Sequence, residues 1–147
     1  MFKPVKTRYD FRYRFIQNAG ERGKVAKPMR ILIAEDDPGI RESLAELLES
    51  EGHLCRQAGD GQHATEILGT ENFDILVSDF RMPRMNGVQL LQWCRAKGFS
   101  FPVLFITANR ELFPMESDAL RDSCADLQRK PIHIDEFLNA IHRFQEA

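Results

Sequence analysis

Five short apolar runs alternate with five helix-like stretches between residues 29 and 147, and that alternation leaves few folds open to the chain. The first run, Arg30–Ala34, closes on Glu35, Asp36, Asp37 and Pro38, where Asp37 is placed to cap a helix and Pro38 suits its first turn. Ile40, Leu44, Leu47 and Leu48 then form one apolar stripe, and Gly52 stops it. His53–Gln57 reads as a weak strand, Gly59–Gly61 as a turn, and Ala64, Ile67 and Leu68 as a second helix. The run Phe73–Asp79 is followed by Pro83, Asn86 and Gly87, which mark a loop, and by a helix lined by Val88, Leu91 and Cys94 with Trp93 beside the stripe. Pro102–Thr107 is a fourth buried strand. Residues 109–123 should hold a fourth helix, but Pro114 falls inside it and forces a late start or a break. Ala125–Arg129 is a polar fifth strand before Lys130 and Pro131, and Ile134, Phe137, Leu138, Ile141 and Phe144 give the last helix its stripe.

This pattern predicts an α/β fold with a parallel sheet and right-handed crossovers. The first, third and fourth strands are apolar throughout, whereas the second and fifth are short and polar. Central strands of a parallel sheet are covered on both faces and edge strands are not. A doubly wound five-stranded sheet in the order 2-1-3-4-5 puts both weak strands at the edges. Its switch point lies between the first and third strands, beside Glu35, Asp36 and Asp79.

Three carboxylates at one sheet edge repel one another unless a cation or protons intervene. Hard oxygen ligands on a partly open site suit Mg2+ (or Mn2+), which takes one or two carboxylates and keeps several waters. Thr107 ends the fourth strand with a hydroxyl, and Lys130 follows the fifth with an ammonium. Taken singly, Asp79 is a strand terminator or helix cap, Thr107 a strand-end residue and Lys130 a solvated charge. Taken together, a carboxylate nucleophile, a cation, a hydroxyl and an ammonium are what phosphoryl transfer to an aspartate requires.

Composition bounds the alternatives. A chain of 147 residues with 43% hydrophobic and 29% charged side chains is long enough to bury a core as one globular domain. It has no apolar stretch of membrane-spanning length and no secretory signal, so a cytoplasmic location without membrane insertion is expected. Cys55, Cys94 and Cys124 match no zinc spacing and read as reduced, packed thiols. His53, His63, His133 and His142 form no ligand pattern and read as surface or edge residues. Residues 1–28 carry eight basic side chains against two acidic ones, which leaves the remainder at −8 within an overall charge of −2. There Tyr9, Phe11, Tyr13 and Phe15 alternate with charged residues, and Asn18–Lys24 resembles a linker. Residues 1–28 are therefore expected to be a flexible basic, aromatic extension, with strand addition, a dimer contact or single-stranded nucleic acid as other uses. An acidic body is not the footprint of direct DNA binding.

Over residues 29–147 the sequence resembles the receiver domains of two-component response regulators. The resemblance rests on Ile31–Pro38, Ser78–Gly87, Ile106–Thr107–Ala108 and Arg129–Lys130–Pro131, in this order on alternating strands and helices. It implies a flavodoxin-like (βα)5 fold in which Asp79 accepts a phosphoryl group from a phosphohistidine. Glu35, Asp36, Asp79 and the main-chain carbonyl of Arg81 would hold Mg2+, Thr107 and Lys130 would bind phosphoryl oxygens, and the Lys130–Pro131 bond would be cis. The implied partners are a sensor histidine kinase or a histidine phosphotransfer protein, and a downstream protein target. With the chain ending at Ala147, output is expected through protein contact rather than a fused domain. Such a protein catalyses only its own phosphorylation and dephosphorylation and is not an enzyme in the usual sense. A receiver-like interaction module that is never phosphorylated is the alternative; a hydrolase would want a second acid where Arg81 stands.

The chain departs from the family pattern in places. Leu127 stands three positions before Lys130, where receivers commonly carry an aromatic that reports phosphorylation. Pro114 and Phe113 make the fourth helix atypical, and Glu35 stands where an Asp is frequent. Arg81 and Asn109, each two positions past a site residue, are expected to tune the phosphoryl lifetime.

Overall fold

The computed structural model describes residues 27–145, so the reading of residues 1–26 lies outside the described residues. Five parallel strands form one sheet: β1 (Arg30–Ala34), β2 (Leu54–Ala58), β3 (Ile75–Asp79), β4 (Val103–Thr107) and β5 (Ala125–Arg129). Their order is β2-β1-β3-β4-β5, as the grading of strand hydrophobicity predicts. The helices between them are α1 (Pro38–Ser50), α2 (Gly61–Leu68), α3 (Gly87–Ala96), α4 (Pro114–Ala119) and α5 (Ile134–Gln145).

Alternate residues of the central strands feed two separate cores. Leu32, Leu76, Val103 and Phe105 face one side, under α2 and α3, where Ala64, Ile67, Val88, Leu91 and Cys94 pack against them. Ile31, Ile33, Val77, Leu104 and Ile106 face the other, under Leu44 and Leu48 of α1 and Phe137, Leu138 and Ile141 of α5. Each such side chain contributes about 1.5–3 kcal/mol by leaving water, so β1, β3 and β4 are the rigid part of the molecule. β2 is largely exposed along its length and β5 half-buried, as edge strands with polar side chains must be.

Local chemistry sets the helix starts. The Asp37 carboxylate accepts from the Gly39 amide at 2.8 Å and the Ile40 amide at 3.2 Å, with Pro38 in the first turn. Asp60 caps α2 through the His63 amide at 2.8 Å. Asn86 and Gln89 form a reciprocal capping box at the start of α3. Pro114 does not break a long helix but opens a short one: α4 begins at the proline and spans six residues, and 109–113 stays outside it.

Two sequence readings change. His53 and His142 are buried, not superficial, and their ring centroids lie 6.5 Å apart where β2 begins beside α5. The Met29 amide donates to His53 Nδ1 at 3.1 Å. Neither position carries a sequence pattern of its own, because a single His at an element boundary looks the same buried or exposed. Cys94 is fully buried and Cys55 partly so, and burial pushes both thiols up to about 12, which keeps them protonated and inert.

Candidate functional site at the carboxyl ends of the central strands

Strand register brings the site together. β1 and β3 align Ala34 with Ser78, so the next residues along, Glu35 and Asp79, emerge side by side. Asp79 pairs with Ile106 on β4, and Thr107 with Arg129 on β5, which brings Thr107 and Lys130 to the same edge. The ladder runs one step further through a 2.7 Å bond from the Lys130 amide to the Thr107 carbonyl. The Lys130–Pro131 peptide is cis.

Glu35 and Asp79 are 1% and 7% exposed, and the Lys130 ammonium bridges them, 2.9 Å from Glu35 Oε1 and 3.0 Å from Asp79 Oδ2. Two buried anions would repel each other strongly without this cation between them. Burial pushes the Glu35 carboxyl above its ordinary range; the Lys130 and Asp37 hydrogen bonds only partly offset this, and the Asp79 charge adds to it. Burial alone would lower the Lys130 ammonium, but its bonds to Glu35 and Asp79 outweigh that and hold it above its ordinary value.

Glu35, Asp36 and Asp79 each offer an oxygen within 4.8 Å of the others. Asp36 is exposed while the other two are buried, so the cluster is walled below and open above. Three hard oxygen donors in a half-open bowl match a cation that keeps part of its water shell, as Mg2+ does. The donor set fits.

Thr107 is fully buried, and its hydroxyl oxygen accepts from the Asn109 amide at 3.1 Å and Asn109 Nδ2 at 3.3 Å. A hydroxyl has two acceptor positions and one proton, so its O–H is the capacity left to use. Asn109 thus orients Thr107, a role that its spacing alone did not reveal.

The loop after Asp79 is held as tightly. The Arg81 amide donates to Asp79 Oδ1 at 3.2 Å, and the Gly87 amide donates to the Phe80 carbonyl at 2.8 Å. A Cβ at Gly87 would fall 2.3 Å from the Asp79 carbonyl oxygen, so only glycine lets α3 come this close. Arg84 sits at φ 68°, in the left-handed region, and its guanidinium Nε donates to Asp60 Oδ2 at 2.7 Å, tying the loop to α2.

Arg81 turns its side chain away from the sheet and toward α4. Its guanidinium meets Glu116 twice, at 3.0 and 3.1 Å, and lies 3.9 Å over the Phe113 ring. Glu116 also accepts the Phe113 amide at 2.8 Å. Burial would raise the Glu116 carboxyl, but the Arg81 and Phe113 bonds overcome it and hold the group below its ordinary value. An open cleft of about 390 Å3 separates α4 from the site, with Asp36, Arg81, Asn86, Phe113 and Met115 in its walls.

A family model for the response regulator receiver domain matches residues 31–142. Over 107 residues the chain is 36% identical to the sensor histidine kinase RcsC of Escherichia coli K12, covering 73% of this chain and 11% of that protein. It is 32% identical over 111 residues to the response regulator MprA of Mycolicibacterium vanbaalenii, covering 76% of this chain and 48% of MprA. The chain therefore spans half or less of the curated relatives it matches. Among solved structures, FixJ-N superposes with a TM-score of 0.73 at 27% identity, over 82% of this chain and 95% of that one. The receiver domain of the Francisella response regulator 1452 gives 0.70 at 27% identity, over 80% and 97%. No helix among the described residues is long and apolar enough to cross a membrane.

Proposed function

We propose, from the premise that this chain belongs to the response regulator receiver family, that Asp79 takes a phosphoryl group from a phosphohistidine on a sensor kinase or phosphotransfer protein. The observation that carries this reading is the Lys130 ammonium held on both Glu35 and Asp79 at the mouth of an otherwise acidic bowl. In the reaction a carboxylate oxygen of Asp79 attacks phosphorus, and the new O–P bond forms as the N–P bond of phosphohistidine breaks. The departing imidazole keeps the electron pair and takes a proton from solvent.

Such transfer is mainly positioning and charge neutralisation. Lys130 orients the Asp79 carboxylate before reaction through its 3.0 Å bond and is placed to pair with a phosphoryl oxygen afterwards. Thr107, its oxygen fixed by Asn109, has its proton to offer to a second phosphoryl oxygen. Glu35, Asp36, Asp79 and the Arg81 carbonyl would hold Mg2+, which when bound neutralises charge on the incoming phosphoryl group. The signal leaves by contact with another protein, in the cytoplasm.

Acetyl phosphate with Mg2+ should label the protein, and chelating the metal should stop it. Asp79→Ala should take up no label; a variant labelled as well as the parent would remove Asp79 as acceptor.

A further inference from the structure

α4 is attached to the body in an unusual way. Its one fully buried side chain is Glu116, a carboxylate 2% exposed, and no aliphatic residue of the helix is buried to that degree. Phe113 and Met115, at its start, are 54% and 53% exposed. Phe113 supplies no side-chain cap, so the first turn depends on Glu116 reaching back to the Phe113 amide. What Glu116 gives the helix it owes to Arg81, whose fork occupies both carboxylate oxygens. Arg81 in turn is two residues from Asp79, and its own amide donates to the Asp79 carboxylate. A single guanidinium therefore stands between the acceptor and the helix.

We infer that Arg81 is a phosphoryl-sensing residue: unphosphorylated, it clasps Glu116 and seats α4, and on phosphorylation of Asp79 it transfers to the phosphoryl oxygens and releases that helix. This rests on the reading of Asp79 as phosphoacceptor and extends it to what the acceptor does next.

The chemistry favours the exchange. Phosphorylation replaces a carboxylate with a group carrying close to two negative charges and three acceptor oxygens. A planar guanidinium binds such a group bidentately, as it binds Glu116, so the move keeps its hydrogen bonds while gaining charge. The cleft between α4 and the site leaves room for the swing. Glu116, left without its cation, must then find water, which it reaches by lifting α4 away. The ring of Phe113, covered on one face by the guanidinium, becomes bare beside Met115. Leu127 occupies the place of the aromatic switch, so the clasp supplies a reporter that the fifth strand lacks.

The test is hydrogen exchange at the Phe113–Leu120 amides of the full chain, with and without phosphoramidate and Mg2+, and with the intact mass of the same sample recorded. In the parent protein, exchange across α4 should rise about tenfold on phosphorylation, while the β1 amides stay unchanged. In Arg81→Met it should be fast already and change less than about twofold when the mass increases. Glu116→Gln, which keeps the shape and removes the charge, should behave in the same direction and covers the case that Arg81→Met folds poorly. A protein that gains the phosphoryl mass with α4 unmoved overturns the inference alone. So does Arg81→Met or Glu116→Gln retaining the full response. A protein that gains no mass overturns the phosphoacceptor reading, and the clasp with it.

Discussion

The two flanks of the site are built from different forces. On the β1–β3 side, Glu35 and Asp79 stand at the ends of strands buried on both faces, and the backbone ladder fixes their separation. On the side of α4 and the loop before β5, Leu112, Ala119 and Leu120 are only partly buried against the core, and two ion pairs add to their hold, Arg81 with Glu116 and Arg95 with Asp122. Apolar packing resists every change short of unfolding. Ion pairs answer to local charge, so the second flank can respond to an event that leaves the first in place.

Truncation in the two regions should separate them most sharply. Phe105 is fully buried on β4 and stacks on Phe80 at 4.3 Å, so Phe105→Ala should cost about 3–5 kcal/mol in denaturant unfolding. Phe113→Ala should cost less than about 1 kcal/mol, because that ring is already half in water. Equal costs would mean that α4 is packed like the core. Lys130→Ala should slow labelling by acetyl phosphate on the order of 100-fold, since it leaves two buried carboxylates facing the incoming anion. Thr107→Ala, which removes one donor but no charge, should slow it about tenfold in the same assay.

The smallest effect is a pH dependence of the ion-paired flank. The Arg95 fork, at 2.8 and 3.2 Å, holds the Asp122 carboxyl below its ordinary value against the opposing effect of burial. A carboxyl depressed in the folded state adds stability above its unfolded pKa of about 3.9, and that stability is lost as pH falls through the folded value. Asp122→Asn should therefore be less stable than the parent by about 0.5–1 kcal/mol at neutral pH, with the gap closing as pH falls below the unfolded value in parallel urea titrations. A gap that widened in acid would contradict the assignment.

The same contrast decides how much of the molecule could be read from its residues. Strand order, both edges and the meeting of Glu35, Asp36, Asp79, Thr107 and Lys130 follow from short apolar runs that end in polar groups, a signal written locally. Arg81 and Glu116 are 35 positions apart, in a loop and a six-residue helix without periodicity, and nothing in either neighbourhood names the other. Arg84 likewise gives no hint of Asp60, nor Asn109 of its hold on Thr107. Pro114 was legible as a disturbance, and as a helix start it fits the residue's missing donor.

Gly87 shows that an atom left out can matter as much as one supplied. Because a methyl group there would collide with the Asp79 carbonyl, Gly87→Ala must push α3 back and shift the main chain that carries the acceptor. Anyone grafting this site onto another scaffold, or sorting variants by which side chains touch phosphorus, would overlook a position whose contribution is empty space.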